Sequence, residues 1–190
     1  MANIAAKQRL QFIHEGSRVE RFHTRPGHTP DTDGRHSHGV AMLVYLLSPV
    51  MPSAELLMEA LSHDLAEQFT GDTPAPAKWR MEDNGRALDA MEKQMRQKFG
   101  LLFPITEEEQ RLLKLADSLD GLLWCAHEAA LGNRYVRLIY DRWEAYMQTL
   151  LSTCSQRELE IVVAVHNIWE ESCGGPYYAG PRFDVFKFGE

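Results

Sequence analysis

The chain has 190 residues, 44% of them apolar and 25% charged, and carries a net charge of −7. That length is enough for one domain with its own core, and the acidic balance leaves no excess cation for a nucleic acid polymer or an anionic membrane. Cys125, Cys154 and Cys173 are odd in number, far apart and without a CxxC spacing, which suggests neither a disulfide framework nor a thiolate zinc site.

The first residues, Met1 to Gln8, have no apolar run of signal-peptide type, and no stretch is long enough to span a membrane. A cytoplasmic protein with reduced thiols is expected. Ile4, Leu10, Ile13 and Phe12 predict a helix over 3–16 that ends at Gly16. Residues 18–34 are rich in Pro, Gly, Arg and His and predict an irregular connection, where functional groups tend to gather. From Arg35 an apolar stripe of Val40, Leu43, Val44 and Leu47 predicts a helix stopped at Pro49. Ser53 is the expected N-cap of the next helix. Leu56, Leu57, Ala60 and Leu61 form its core face; the helix then carries His63 and closes at Gly71.

Two prolines, Pro74 and Pro76, take the chain out of that helix. Leu88, Met91, Met95 and Phe99 predict another helix over about 86–99. Thr106 and Glu109 have capping-box spacing and open a long helix through Leu112, Leu113, Ala116, Leu119, Leu123 and Ala126, ending near Gly132-Asn133. Residues 135–151 continue as a helix with Val136, Ile139, Trp143 and Met147 on one side. A second capping box, Ser155 and Glu158, starts the last helix, which runs to about 172. Strand signals are nearly absent. The expectation is an all-α bundle of six or seven helices over 1–172. A tail over 173–190 would dock Phe183, Val185 and Phe186 on the domain or on a neighbouring subunit.

Chemistry concentrates in Leu61-Ser62-His63-Asp64-Leu65-Ala66-Glu67-Gln68-Phe69-Thr70-Gly71-Asp72. On a regular helix Glu67 lies one turn from both His63 and Asp64. Imidazole and carboxylate together suit a divalent first-row metal, and a carboxylate outside the ligand set can move protons. By itself a His-Asp pair more often belongs to a surface or a cap. Two further candidate ligands can face it: His36, in Arg35-His36-Ser37-His38, and Asp117, in Ala116-Asp117-Ser118. Asp117 borders the stripe of Leu113 and Leu119, where an unpaired carboxylate is costly and a metal removes the cost.

The order His36, His63-Asp64, Asp117 in a helical chain resembles the HD-domain metal-dependent phosphohydrolases. Arg21-Phe22, His36-Ser37-x-x-Val40-Ala41, and His63-Asp64-x-x-Glu67-x-x-Thr70-Gly71-Asp72-x-Pro74-x-Pro76-x-Lys78 narrow the likeness. They are similar to the bacterial 5′-deoxynucleotidases and to the compact bacteriophage dATP triphosphohydrolases, over roughly residues 5–150. The resemblance implies that His36, His63, Asp64 and Asp117 hold one divalent ion (Co, Mn, Zn, Mg, Ni or Fe). It implies that Glu67 positions or deprotonates the attacking water. Asp72 would bind the sugar or protonate the leaving oxygen, and would hold a second metal when a polyphosphate is bound. Arg21 and Lys78 would face phosphate, and Phe22 and Pro74 would line the sugar and base pocket. Two imidazoles and two carboxylates leave open positions on a six-coordinate ion, and a guanidinium offers phosphate a planar fork.

Arg35 departs from the family, whose bacterial nucleotidases have an acid there. His38 cannot share a site with His36 on a regular helix and is expected to be peripheral, as are His23, His28 and His127. The expected reaction is attack of water on the α-phosphorus of a 2′-deoxynucleotide, releasing the deoxynucleoside. The short interval from His63 to Asp117, the loop Arg21-Phe22-His23-Thr24-x-Pro26 and the additional Arg35 and Arg80 lean toward a deoxynucleoside triphosphate, dATP. A 5′-deoxynucleotidase acting on the monophosphate is the alternative; a non-catalytic nucleotide-binding module and an HD phosphodiesterase follow. Trp143, Tyr177 and Phe188 are candidate contacts of a homo-oligomer.

Overall fold

Apolar residues at helical spacing, with almost no alternating pattern between them, fold as helices packed on helices. The computed structural model describes residues 4–73 and 82–173. Among these residues the helices are α1 (Ala6–Gly16), α2 (Asp33–Leu47), α3 (Ala54–Ser62), α4 (Glu82–Phe99), α5 (Glu107–Ala130), α6 (Val136–Gln148) and α7 (Gln156–Cys173). The expected all-α bundle is the observed one. The irregular connection adds one detail the sequence did not signal: β1 (Glu20–Arg21) pairs antiparallel with β2 (Asp31–Thr32), Glu20 opposite Thr32 and Arg21 opposite Asp31. No helix among the described residues is long and apolar enough to cross a membrane.

The long α5 is the central element, with α2, α6 and α7 packed against it. Its start is fixed locally. Thr106 Oγ1 accepts from Glu109 N at 3.2 Å while the Glu109 carboxylate accepts from Thr106 N at 2.8 Å. Such reciprocal caps satisfy two backbone donors that a helix start otherwise leaves bare. Ser53 caps α3 through Leu56 N at 3.1 Å, and Ser155 and Glu158 cap α7 as their spacing predicts. Val40, Leu43, Val44 and Leu47 of α2 are all buried against Leu115, Leu119 and Leu122 of α5 in the main core.

A second, smaller core supports the other side of the site. Phe12, Leu65, Ala66 and Leu101 are buried there, and Phe12 stacks on Phe99 with centroids 4.1 Å apart. Burying such a ring stabilises the fold by about 1.5–3 kcal/mol. Phe12 is therefore the core residue of α1. Leu10 and Ile13, expected inside, are 67% and 44% exposed. The short α1 meets the 3₁₀ turn Leu65–Phe69 along one narrow face, which accommodates Phe12 and little else. Leu61 is likewise exposed, at 42%, because α3 ends one residue later. Trp143 is half-buried over Gly121 of α5. Tyr177, Phe188, Arg80 and the tail residues Phe183, Val185 and Phe186 lie outside the described residues.

Candidate metal centre and active site

The His63-Asp64 pair is not on a regular helix. Here α3 stops at Ser62, His63 is its C-cap, and Leu65–Phe69 continues as a 3₁₀ helix. The break turns the pair inward, and Glu67 stays close through a backbone bond from its N–H to Asp64 O at 2.8 Å. Gly71, at φ +70, ends the segment as its sequence position predicts, its N–H reaching Glu67 O at 2.6 Å. A left-handed backbone of this kind is easy for glycine and strained for other residues.

Three segments converge on Asp64. Its Oδ2 lies 2.9 Å from Arg21 Nη1, 3.2 Å from His63 Nε2 and 3.5 Å from His36 Nε2. His36, at 0% exposure on α2, also places Nε2 3.1 Å from Asp117 Oδ1 on α5. The ring nitrogens facing away from this point are engaged: His63 Nδ1 is 2.8 Å from Ala60 O and His36 Nδ1 is 2.8 Å from Asp120 Oδ2. An acceptor at Nδ1 keeps the proton on that nitrogen and directs the Nε2 lone pair inward. Both Nε2 atoms are buried without a hydrogen bond. Two orphaned imidazole nitrogens beside two carboxylates form a donor set that fits a divalent ion, and His36, His63 and Asp64 alone offer three ligand atoms within 4.8 Å of one another.

The charges are strongly coupled. Burial works to lower the His63 pKa, but the Asp64 and Asp117 carboxylates and the Ala60 carbonyl outweigh it and raise it to about 9. His36 is raised as well, its burial overcome by Asp117 and Asp120. Burial disfavours the Asp64 anion, yet His63, His36 and Arg21 hold its pKa below the ordinary carboxylate range. Asp117 is lowered in the same way by the two histidines.

Arg21 is buried between Asp64 and Asp31, with Nε 3.5 Å from Asp31 Oδ2. Arg35, the departure from the family pattern, turns away from the histidines and pairs with Asp31 at 2.6 Å. Phe22 takes a left-handed backbone, φ 54, which costs about 1–2 kcal/mol for a side chain of its kind. Its N–H donates to Asp72 Oδ2 at 2.9 Å, and its ring stacks on Trp124 at 4.0 Å. Buried Glu128 secures the rest of that loop by accepting from the His28 and Thr29 backbone N–H groups at 2.7 and 2.8 Å. His38, His23, His28 and His127 are exposed, as expected. Pro74 and Lys78 lie outside the described residues.

The sequence reading missed two acids. Asp120 stands one turn beyond Asp117, a spacing that would have revealed it. Asp33, the first residue of α2, is 0% exposed, and neither carboxylate oxygen has a hydrogen-bond partner. With Asp64 and Glu67 it forms a second group of acids within 4.8 Å. Burial pushes the Asp33 carboxyl up to about 8, with the Asp64 charge adding to it. A raised acid costs the fold nothing below its unfolded value near 3.8 and progressively more as pH rises toward 8. In chelator-treated protein, Asp33→Asn is expected to raise unfolding stability by about 1–3 kcal/mol at pH 8 and by little at pH 4. Denaturant titrations at the two pH values measure the difference; equal stabilities at pH 8 would contradict it.

The comparisons with known proteins fit this geometry. The family model for 5′-deoxynucleotidases of the YfbR-like type matches residues 9–164. The 5′-deoxynucleotidase YfbR of Escherichia coli K12 is 28% identical over 151 residues, 67% of this chain and 76% of that protein, and the Shigella boydii protein matches equally. Among solved structures, an HD-domain phosphohydrolase from Listeria innocua superposes with a TM-score of 0.71 at 18% identity, covering 92% of each chain. The HD phosphohydrolase DatZ of cyanophage S-2L, bound to dA and one catalytic Zn2+ ion, superposes at 0.64 with 17% identity, covering 90% of this chain and 99% of that one. These two establish the fold, and the family match reaches from α1 into α7. The chain belongs to the YfbR-like 5′-deoxynucleotidase family of HD-domain phosphohydrolases.

Proposed function

We propose that this enzyme hydrolyses the 5′-phosphate ester of a 2′-deoxynucleoside monophosphate, releasing deoxynucleoside and phosphate. The observation that carries the reading is the convergence of two orphaned Nε2 atoms with the Asp64 and Asp117 carboxylates. In this reading His36, His63, Asp64 and Asp117 hold one divalent ion. When bound, that ion supplies Lewis acidity at a phosphoryl oxygen and makes water a stronger acid. Glu67, beside Asp64, accepts the proton of the attacking water. Arg21 already faces the centre with a buried guanidinium and neutralises the phosphate. Phe22, stacked on Trp124, lines the sugar and base side; Asp72, anchored to Phe22 N–H, meets the sugar or the leaving 5′-oxygen. Pro74 and Lys78 lie outside the described residues; the family resemblance alone gives them roles at the base pocket and the phosphates.

The sequence alone leans to a triphosphate partly because of Arg35 and Arg80. Arg35 is spent on Asp31, which removes one of those two arguments. The curated relatives, named for 5′-deoxynucleotidase activity, support the monophosphate. The triphosphate reading keeps the short His63–Asp117 interval and the Arg21–Pro26 loop in its favour.

Incubation with dAMP or dATP in the presence of Co2+ or Mn2+ separates the readings. Phosphate and deoxyadenosine from dAMP are expected. Triphosphate from dATP with dAMP untouched would replace this reading by the second, and turnover of neither nucleotide, nor of the other deoxynucleotides, would overturn both.

A further inference from the structure

Behind the centre, α2 and α5 meet in a way that metal binding alone does not explain. The His36 ring is held from both sides by one helix: Asp117 faces Nε2, and Asp120, three residues on, faces Nδ1 at 2.8 Å. Asp120 reaches the ring across a position that has no side chain. A Cβ at Gly39 would overlap Asp120 Oδ1 and stand 2.9 Å from Cγ. Gly39 lies inside α2 and does not have a positive φ, so backbone conformation does not require glycine there. Glycine inside a helix is disfavoured relative to alanine, so its presence calls for another reason. The space it leaves is filled by the Asp120 carboxylate.

We infer that Asp120 is the positioning residue for His36, fixing its Nδ1–H tautomer so that Nε2 faces the metal position, and that Gly39 supplies the room for this contact. The inference rests on the metal-centre reading above. An imidazole whose far nitrogen donates to a carboxylate is oriented and made a better donor, and removing such a partner typically weakens metal affinity about 10–100-fold. A merely structural Asp120 would instead tie α2 to α5 without controlling the tautomer.

The test measures Co2+ affinity of chelator-stripped protein by calorimetry, together with thermal unfolding and long-range proton–nitrogen NMR of the histidine rings in metal-free protein at a pH alkaline enough to make them neutral. Wild type, Asp120→Ala, Asp120→Asn, Gly39→Ala and the double variant Gly39→Ala/Asp120→Ala are compared. Asp120→Ala is expected to weaken Co2+ binding about 10–100-fold and to release His36 from a single Nδ1–H tautomer. Asp120→Asn, which keeps an acceptor oxygen, recovers part of the affinity. Gly39→Ala weakens binding as Asp120→Ala does, and the double variant is no worse than Asp120→Ala, because the added methyl no longer meets a carboxylate. Affinity unchanged within twofold in Asp120→Ala, an unchanged His36 tautomer, or additive losses in the double variant would overturn the inference while leaving the metal centre intact. Wild-type protein that binds no divalent ion would overturn the metal-centre reading itself, and this inference with it.

Discussion

Glu67→Gln is expected to lower kcat by about 10²–10⁴-fold while the protein still binds its divalent ion. Glu67 is 5% exposed, and its carboxylate lies within 4.8 Å of the Asp33 and Asp64 carboxylates. It is not among the four proposed ligands, so losing its charge removes a proton acceptor and leaves the donor set in place. The 3₁₀ turn that carries it is held by backbone bonds from Glu67 N and Gly71 N, which the substitution does not touch. Single-turnover hydrolysis of dAMP, with metal content measured on the same samples, checks the assignment. Unchanged turnover would remove Glu67 from the chemistry, and a loss of metal parallel to the loss of rate would make it a ligand.

What the sequence disclosed about this molecule divides along a physical line. Helix starts were legible because a cap is a local event: Ser53, Thr106 and Ser155 each act within three residues of themselves. The α2 stripe was legible because both ends of its period fall in the main core. The faces of α1 and the last turn of α3 were not, since exposure there depends on which narrow surface meets a partner from far along the chain. In the centre, His36 and Asp117 were legible as candidates, but their meeting was a long-range fact. The helix break after Ser62 was hidden because no Gly or Pro marks it: the chain passes through His63 and Asp64 straight into the 3₁₀ turn Leu65–Phe69, and Gly71 is the first residue that signals a stop. Asp33 was missed because an acid in the first turn of a helix is ordinarily there to complement its dipole. Nothing local marks it as buried without a partner.

The second large effect concerns protons. Metal-free protein holds His63 charged up to about pH 9, stabilised by the same carboxylates that would otherwise face a cation. A divalent ion must displace that proton to reach Nε2, so apparent affinity is expected to climb about tenfold per pH unit between pH 6 and 8.5 for each proton released. The raised His63 pKa also stabilises the metal-free fold fully below its unfolded value of 6.5, and that stabilisation is lost as pH rises through about 9. Asp33 acts with the same sign, costing more as pH rises toward 8. The metal-free protein thus weakens over the range in which metal binding strengthens. The difference in Tm between metal-loaded and metal-free protein is expected to widen steadily from pH 6.5 to 8.5. Calorimetric Co2+ titrations in buffers of different ionisation enthalpy count the released protons directly. A Tm difference independent of pH, with no proton release, would mean that the ion does not displace a proton from His63. His63→Gln, which removes the titrating ring, is expected to lower the count by one.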